Sequence, residues 1–267
     1  MTEFEPPRNR RAVYGMVHLR ALPGTPFYEP DSFDETLRRA VESARALDQG
    51  GADGCLVQTV DGAYPTGQQS DPARIAALSL ILDAVRMRTD PAFEVGLQIM
   101  QNDLISSLAL VKVVGADFVR ATAMVGATLT QHGWVEAEPL RVAEYRTKLG
   151  AADVRMIAEV DTMHFRWFGG ERDAGAVAAA ARQVGANALA VSHADADTAL
   201  ELIATVREAV PDMPLLLAGG TDHGNACRLL AEADGAFVGG CLERGGWGGS
   251  VDAERVRSYV QLVNSLR

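Results

Sequence analysis

The sequence predicts a (β/α)8 TIM barrel, eight parallel strands alternating with eight helices. Three observations carry that expectation. Short β-branched or apolar runs alternate with longer helical patterns from one end of the chain to the other. Three helical patterns end in nearly the same phrase, Gly50-Gly51-Ala52-Asp53, Gly115-Ala116-Asp117 and Gly185-Ala186-Asn187, each passing straight into an extended run. Glycine there can take the left-handed conformation that ends a helix before a parallel strand. Eight such units in 267 residues suit a barrel whose usual length is about 250 residues. A doubly wound sheet is the alternative, but the first strand ends in Val17-His18-Leu19-Arg20 with no G-x-G-x-x-G after it.

The chain opens on the acidic Met1-Thr2-Glu3-Phe4-Glu5 and then Pro6-Pro7, without the basic and apolar regions of a signal peptide. Residues 1–11 are therefore read as a flexible tail and 12–267 as one barrel domain. The first strand is expected at 12–19, and a helix at 33–49 closes on the first glycine phrase. A strand at 53–58 leads to a helix at 72–88, and a strand at 94–99 to a helix at 103–114 that closes on the second phrase. The fourth strand, 117–121, precedes a helix at 139–149, and the fifth, 155–161, precedes a helix at 174–184 that closes on the third phrase. Strands at 187–192, 214–218 and 235–239 alternate with helices at 195–209 and 225–231, and a helix at 251–266 ends the series. Each helix is preceded by polar residues and followed by glycine or a turn, the signals that start and stop helices.

Composition narrows the partners. Lys plus Arg is 25 and Asp plus Glu is 35, a formal charge of −10, and such a surface repels polyanions. Aromatic residues are 6%, too few to offer many platforms for base stacking, so no nucleic-acid partner is expected. The most apolar stretch, 104–114, carries two serines and Lys112, so no membrane span is expected either. Cys55, Cys227 and Cys241 are odd in number and lack paired spacing, which suits small buried side chains in a reducing cytoplasm. The partners expected are a small-molecule substrate and, for the chain itself, a homo-oligomer.

In this fold the reactive groups sit at the C-terminal ends of the strands and in the loops that follow. The histidines fit that frame: His18 ends the first strand, His132 lies after the fourth, and His164, His193 and His223 follow the fifth, sixth and seventh. Gln58, Asp61, Gln98, Asn102, Asp103, Arg120 and Thr122 join them at the same rim. Glu159 and Asp161 are two apart on the fifth strand and so face one side of it. Facing inward, the pair suits a hard divalent ion, or one carboxyl kept protonated by the other to act as an acid, with His164 completing either arrangement. The other reading has Glu159 alone pointing inward and Asp161 beginning the loop. No organic cofactor is expected, and Mg, Mn or Zn is the ion that Glu159 and Asp161 would hold.

A second constellation lies near the C-terminus, Gly219-Gly220-Thr221 after the seventh strand and Gly239-Gly240 after the eighth. Glycine lets backbone N–H groups approach an anion closely, and these two loops form the usual phosphate site of the fold. The same glycines also serve simply to turn the chain. Gly245-Gly246-Trp247-Gly248-Gly249 reads as a flap over that site or a plain linker, and Trp167-Phe168 as a lid or as packing.

The residues resemble the BtpA/SgcQ family over most of the chain. The most specific likeness is Gly15-Met16-Val17-His18-Leu19 with Leu22-Pro23-Gly24-Thr25-Pro26. Further matches are Gly51-Ala52-Asp53-Gly54, Asn102-Asp103, Phe118-Val119-Arg120, Gly126-Ala127, Gly133 with Glu136, Tyr145-Arg146, Ala233-Asp234-Gly235, Val238-Gly239 and Val251-Asp252. The departures fall on polar rim positions. Gln58-Thr59 stands for the family's Glu-Asn, Gln98 and Gln101 for Asn and Arg, Thr122 for Asn, and Gln131-His132 for Asp-Gln. Glu159 stands for Asp, Met163-His164 for Lys-His, Ser192-His193 for Thr-Gly, and Gly239-Gly240 with Glu243 for Gly-Thr with lysine. The resemblance implies a barrel with a rewritten rim and a different substrate. It also carries two roles, photosystem I biogenesis and membership of a sugar-utilisation operon, that share no defined reaction.

The function expected is a metabolic enzyme acting on a small phosphorylated sugar or nucleotide-like ligand by lyase, isomerase or glycosidic-bond chemistry. In it Glu159, His164, His18, Arg120 and Asp103 are catalytic, the glycine loops with Thr221 bind phosphate, and Gln58, Gln98 and Asn102 orient hydroxyl groups. The alternative is a non-catalytic assembly or regulatory factor.

Overall fold

The computed structural model describes residues 11–60 and 68–266, so the tail expected at 1–11 lies outside the described residues except for Arg11, and Asp61 lies outside them too. Eight parallel strands close into a barrel: β1 (Ala12–Leu19), β2 (Gly54–Thr59), β3 (Glu94–Gln98), β4 (Phe118–Ala121), β7 (Arg155–Asp161), β8 (Ala188–Val191), β9 (Leu215–Leu217) and β10 (Gly235–Val238). Helices α1 (Phe33–Gly50), α2 (Pro72–Arg86), α3 (Leu104–Val114), α4 (Pro139–Lys148), α5 (Ala174–Gln183), α6 (Ala196–Ala209), α7 (Ala226–Leu230) and α8 (Ala253–Asn264) follow the barrel strands in turn. Among the described residues no helix is long and apolar enough to cross a membrane.

Four strands were not expected. β5 (Ala127–Thr130) and β6 (Gly133–Glu136) form an antiparallel hairpin inside the loop after β4, and β11 (Glu243–Arg244) pairs with β12 (Ser250–Val251) after β10. Both are short and mix polar with apolar residues, without the continuous apolar runs that mark the barrel strands.

Each barrel strand is buried on both faces, so its alternate side chains feed two separate cores. Val13 and Val17 of β1 pack outward with the helices, while Tyr14 and Met16 point into the barrel with Leu56, Phe118, Leu216 and Phe237. Tyr14 meets Phe118 and Phe237 with ring centroids 5.3 and 5.5 Å away. Below these rings Tyr14 Oη donates to Glu94 Oε2 at 2.6 Å, and Arg155 pairs with Glu94 at 2.9 Å. The N-terminal end of the barrel is thereby plugged. Gly96 makes room for this packing, because a Cβ there would lie 2.0 Å from the Phe118 ring.

The repeated glycine phrases do two jobs. Gly51, Gly115 and Gly185 take φ of 87°, 74° and 98°, the left-handed turn expected of them. The polar residue that closes each phrase then ties a neighbouring strand: Asp53, Asp117 and Asn187 each accept from a backbone N–H, of Val13, Val95 and Met156, at 2.8 Å. Asp234 repeats the device on Leu215 at 2.8 Å. A tie therefore precedes every second barrel strand, satisfying an amide at the buried edge of its neighbour.

Candidate active site

With one end plugged, the C-terminal end opens into a cavity of about 840 Å³, lined among others by His18, Gln58, Arg120, His164, the Gly219-Gly220 and Gly239-Gly240 loops and Trp247. That volume suits a small ligand.

Under the cavity floor lies Glu159, its side chain wholly buried. Its Oε1 accepts from Arg120 Nε at 2.9 Å and from Gln98 Nε2 at 2.8 Å, and its Oε2 accepts from the Thr162 hydroxyl. His164 Nδ1 stands 3.3 and 3.2 Å from the two oxygens. Burial alone would push this carboxyl up, but the positive Arg120 and then His164, with hydrogen bonds from His164 and Thr162, hold it well below the usual carboxylate range. Glu159 is thus an ionised anchor, and Arg120 and His164 are the groups it presents. Gln58 Nε2 donates to Gln98 Oε1 at 2.7 Å and Gln98 Nε2 also reaches Thr122 Oγ1 at 3.1 Å, so Gln98 braces Glu159 while Gln58 lines the cavity. The Arg120 guanidinium rests 4.9 Å from the centre of the Phe237 ring.

Across the barrel, His18 Nδ1 lies 3.1 Å from Oε1 of Glu243, a carboxylate buried under the rim. The Trp247 ring stands 5.4 Å from His18 and is 61% exposed, carried by a glycine-rich turn in which Gly245, Gly246 and Gly248 have positive φ. Trp247 belongs to the mouth. Trp167 instead fills the space beside Gly126, and Phe168 packs edge-on against Trp134 at 4.9 Å, so that pair is packing on the hairpin.

Gly219 and Gly220 have φ of 108° and 77°, and Gly240 opens a single 3₁₀ turn, Gly240–Leu242. The amides of Gly219, Gly220 and Gly240 donate to no acceptor among the described residues. Thr221 also lines the cavity, and its hydroxyl is shared with Tyr259 Oη at 2.6 Å.

Several expected site residues are placed elsewhere. The strand β7 carries a register shift between Glu159 and Asp161, so the two do not converge; Asp161 is half-exposed and its nearest cation is Arg166 at 3.8 Å. Both Glu159 oxygens already accept from protein donors, and among the described residues no three His, Cys, Asp or Glu are grouped to hold a metal. The Glu159–Asp161 pair therefore fits neither the expected divalent ion nor a shared-proton acid. Asp103 caps α3 by accepting from Ser106 N at 3.0 Å and also holds Ser70 N at 2.8 Å, and Asn102 grips both backbone groups of Ala123 at 2.9 and 3.0 Å. Both face a separate cavity of about 450 Å³ and serve the backbone. Of the histidines, His18, His132 and His164 line the mouth, whereas His193 bonds the Asp195 loop and His223 packs on Tyr259.

A closed parallel barrel with a plugged base and a cation-bearing polar mouth defines a TIM-barrel protein with a ligand cavity at its C-terminal end. Residues 9–265 match the BtpA family, and the chain belongs to it. It is 29% identical over 267 residues to the photosystem I biogenesis protein BtpA of Synechocystis, covering 98% of this chain and 91% of that one. It is 30% identical over 253 residues to an uncharacterised protein of Archaeoglobus fulgidus, covering 95% and 98%. Among solved structures, tryptophan synthase from M. tuberculosis superposes with a TM-score of 0.59 at 14% identity, covering 97% of this chain and 92% of that one, a likeness of fold.

Proposed function

We propose that the chain is an enzyme acting on a small phosphorylated ligand, sugar- or nucleotide-like, by lyase, isomerase or glycosidic-bond chemistry. The observation that carries this reading is the mouth itself: Arg120 and His164, fixed by the ionised Glu159, share one cavity with two glycine loops in which the amides of Gly219, Gly220 and Gly240 have no acceptor among the described residues. In the reading, the amides of Gly219, Gly220 and Gly240 hold the phosphate. Arg120 offsets negative charge that develops during reaction, His164 and His18 transfer protons, and Gln58 orients a hydroxyl. Glu159 and Gln98 keep Arg120 and His164 in place.

The test is the melting temperature of the purified chain against inorganic phosphate, sugar phosphates, nucleotides and their unphosphorylated counterparts, with and without Mg, Mn or Zn. A ligand held only by the folded state at 100 times its Kd stabilises by about 2.7 kcal/mol. A shift restricted to phosphorylated compounds and lost in Gly240→Asp supports the reading. Gly240 suits the purpose because a Cβ there meets nothing closer than 3.6 Å, so the variant adds charge without crowding. No shift with any phosphorylated compound overturns it.

A second reading, a docking body for another protein, rests on Leu129, Trp134, Phe168 and Met163, large apolar side chains exposed beside the mouth. The name of the Synechocystis relative agrees with it. Silence across the ligand panel shifts the weight here.

A further inference from the structure

His18 and His164 sit on opposite walls of the mouth. In the barrel order β1-β10-β9-β8-β7-β4-β3-β2, β1 and β7 lie four places apart in a ring of eight, which puts the end of one directly across from the end of the other. His18 lies near the end of β1, and His164 follows β7 by three residues. Each ring is seated the same way: Nδ1 of His164 contacts the buried Glu159, and Nδ1 of His18 contacts the buried Glu243. A carboxylate at Nδ1 fixes the ring's orientation and its protonation pattern, and leaves the other nitrogen as the only polar atom the ring can offer to the cavity.

Glu243 differs from an ordinary ion pair. It is 2% exposed, yet Oε2 has no hydrogen-bond partner among the described residues. Burying a carboxylate that is only half satisfied is unfavourable. The side chain is held against His18 by its own segment: its backbone carbonyl accepts from Arg255 at 2.5 Å, and Trp247 covers the imidazole from the solvent side.

We propose that Glu243 is a positioning residue for His18, and that His18 and His164 together shift a proton between adjacent carbons of a phosphorylated α-hydroxycarbonyl compound. This deepens the enzyme reading above and rests on it. His18 Nε2 takes the proton from the carbon next to the carbonyl. The C–H electron pair becomes the carbon–carbon double bond, the carbonyl π pair moves to oxygen, and that oxygen receives a proton from His164. Arg120, whose Nη2 is 3.3 Å from His164 Nδ1, stands where charge on that oxygen develops. Return of the carbon-bound proton from His18 to the former carbonyl carbon, with His164 taking one from the hydroxyl of the carbon that first lost its proton, exchanges carbonyl and hydroxyl with no net gain or loss of atoms or electrons.

Two measurements test this. Two-bond ¹H–¹⁵N spectra of the full chain, with His18 assigned from His18→Gln, read the protonation pattern without any ligand. The neutral His18 ring is expected to carry its proton on Nδ1 and to lose that preference in Glu243→Leu; a wild-type ring protonated on Nε2 overturns the pairing. In D2O, dihydroxyacetone phosphate and ribulose 5-phosphate are followed by NMR, with melting temperature in parallel. A compound that raises the melting temperature is expected to take up deuterium next to its carbonyl. Exchange falls on the order of 10²–10⁴-fold in His18→Gln, and falls also in Glu243→Gln while the melting shift persists. A melting shift without exchange overturns the two-histidine transfer and leaves phosphate binding standing, whereas no shift with either compound or any other phosphate overturns both.

Discussion

Removing the charge of Glu159 leaves Arg120 and His164 against a neutral amide that is itself wholly buried. Breaking a buried pair by removing one partner costs about 3–5 kcal/mol, so Glu159→Gln is expected to lower stability by that order in urea unfolding at neutral pH. Its pH dependence follows from the direction of the shift. A carboxyl held below its unfolded value stabilises the fold fully above about pH 4.3, and the contribution disappears as pH falls toward the lower folded value. The stability gap between wild type and Glu159→Gln should stay level from neutrality to about pH 5 and narrow under stronger acid; a gap that widens in acid contradicts the anchor role. Arg120, His164 and His18 were legible in the sequence because a polar residue at the end of a barrel strand has few other uses. Glu243 was legible only as a departure at the rim; its pairing with His18 was not, because it lies in a two-residue strand that only the folded path after β10 brings to His18.

The strand ties are a property of the βα unit. Asp117 is half-buried, and burial raises its carboxyl, the Val95 amide pulling the other way and Glu94 adding to the rise. A raised folded value means that stability is greatest below the unfolded value, about pH 3.9, and declines as pH rises through the folded one. Asn187 makes the same tie without charge. Asp117→Asn is therefore expected to be neutral or stabilising at pH 7 and to lose that advantage in acid, as thermal unfolding across pH will tell. Asp117→Ala, which strands the Val95 amide, should cost about 1–3 kcal/mol. The glycine phrase was readable as a helix end; that its last residue reaches sideways to the next strand was not, since sequence spacing gives no strand neighbour. The register shift in β7 is a similar case. Period-two counting put Glu159 and Asp161 on one face, and one extra residue in the ladder removed Asp161 from it.

The two ends of the barrel divide the labour of the molecule. The base, with Glu94 between Tyr14 and Arg155, closes the inner core, and the mouth keeps its polar groups around open space. Glu94→Gln should weaken the fold by about 1–3 kcal/mol in urea titration while leaving any phosphate-dependent melting shift intact. Gly240→Asp should do the reverse, removing that shift with little change in the unliganded melting temperature, since a side chain there meets nothing closer than 3.6 Å. If both variants alter the two readouts together, the ends are coupled and the division fails.

Hydrophobic period, glycine punctuation and chain length sufficed for the barrel, for eight strands and eight helices within a few residues of their ends, and for the rim that carries the polar groups. These follow from local chemistry: a strand buried on both faces must be apolar, and glycine at a helix end lets the chain turn back to a parallel strand through a left-handed cap. Which polar groups meet was decided by the folded chain. Glu159 went under the floor rather than into the cavity, Asp103 and Asn102 went to the backbone, and Glu243 came to His18. Barrel closure sets those pairings by placing strands far apart in sequence side by side or face to face, and the rewarding partner for a buried charge is whichever opposite charge that closure brings within reach.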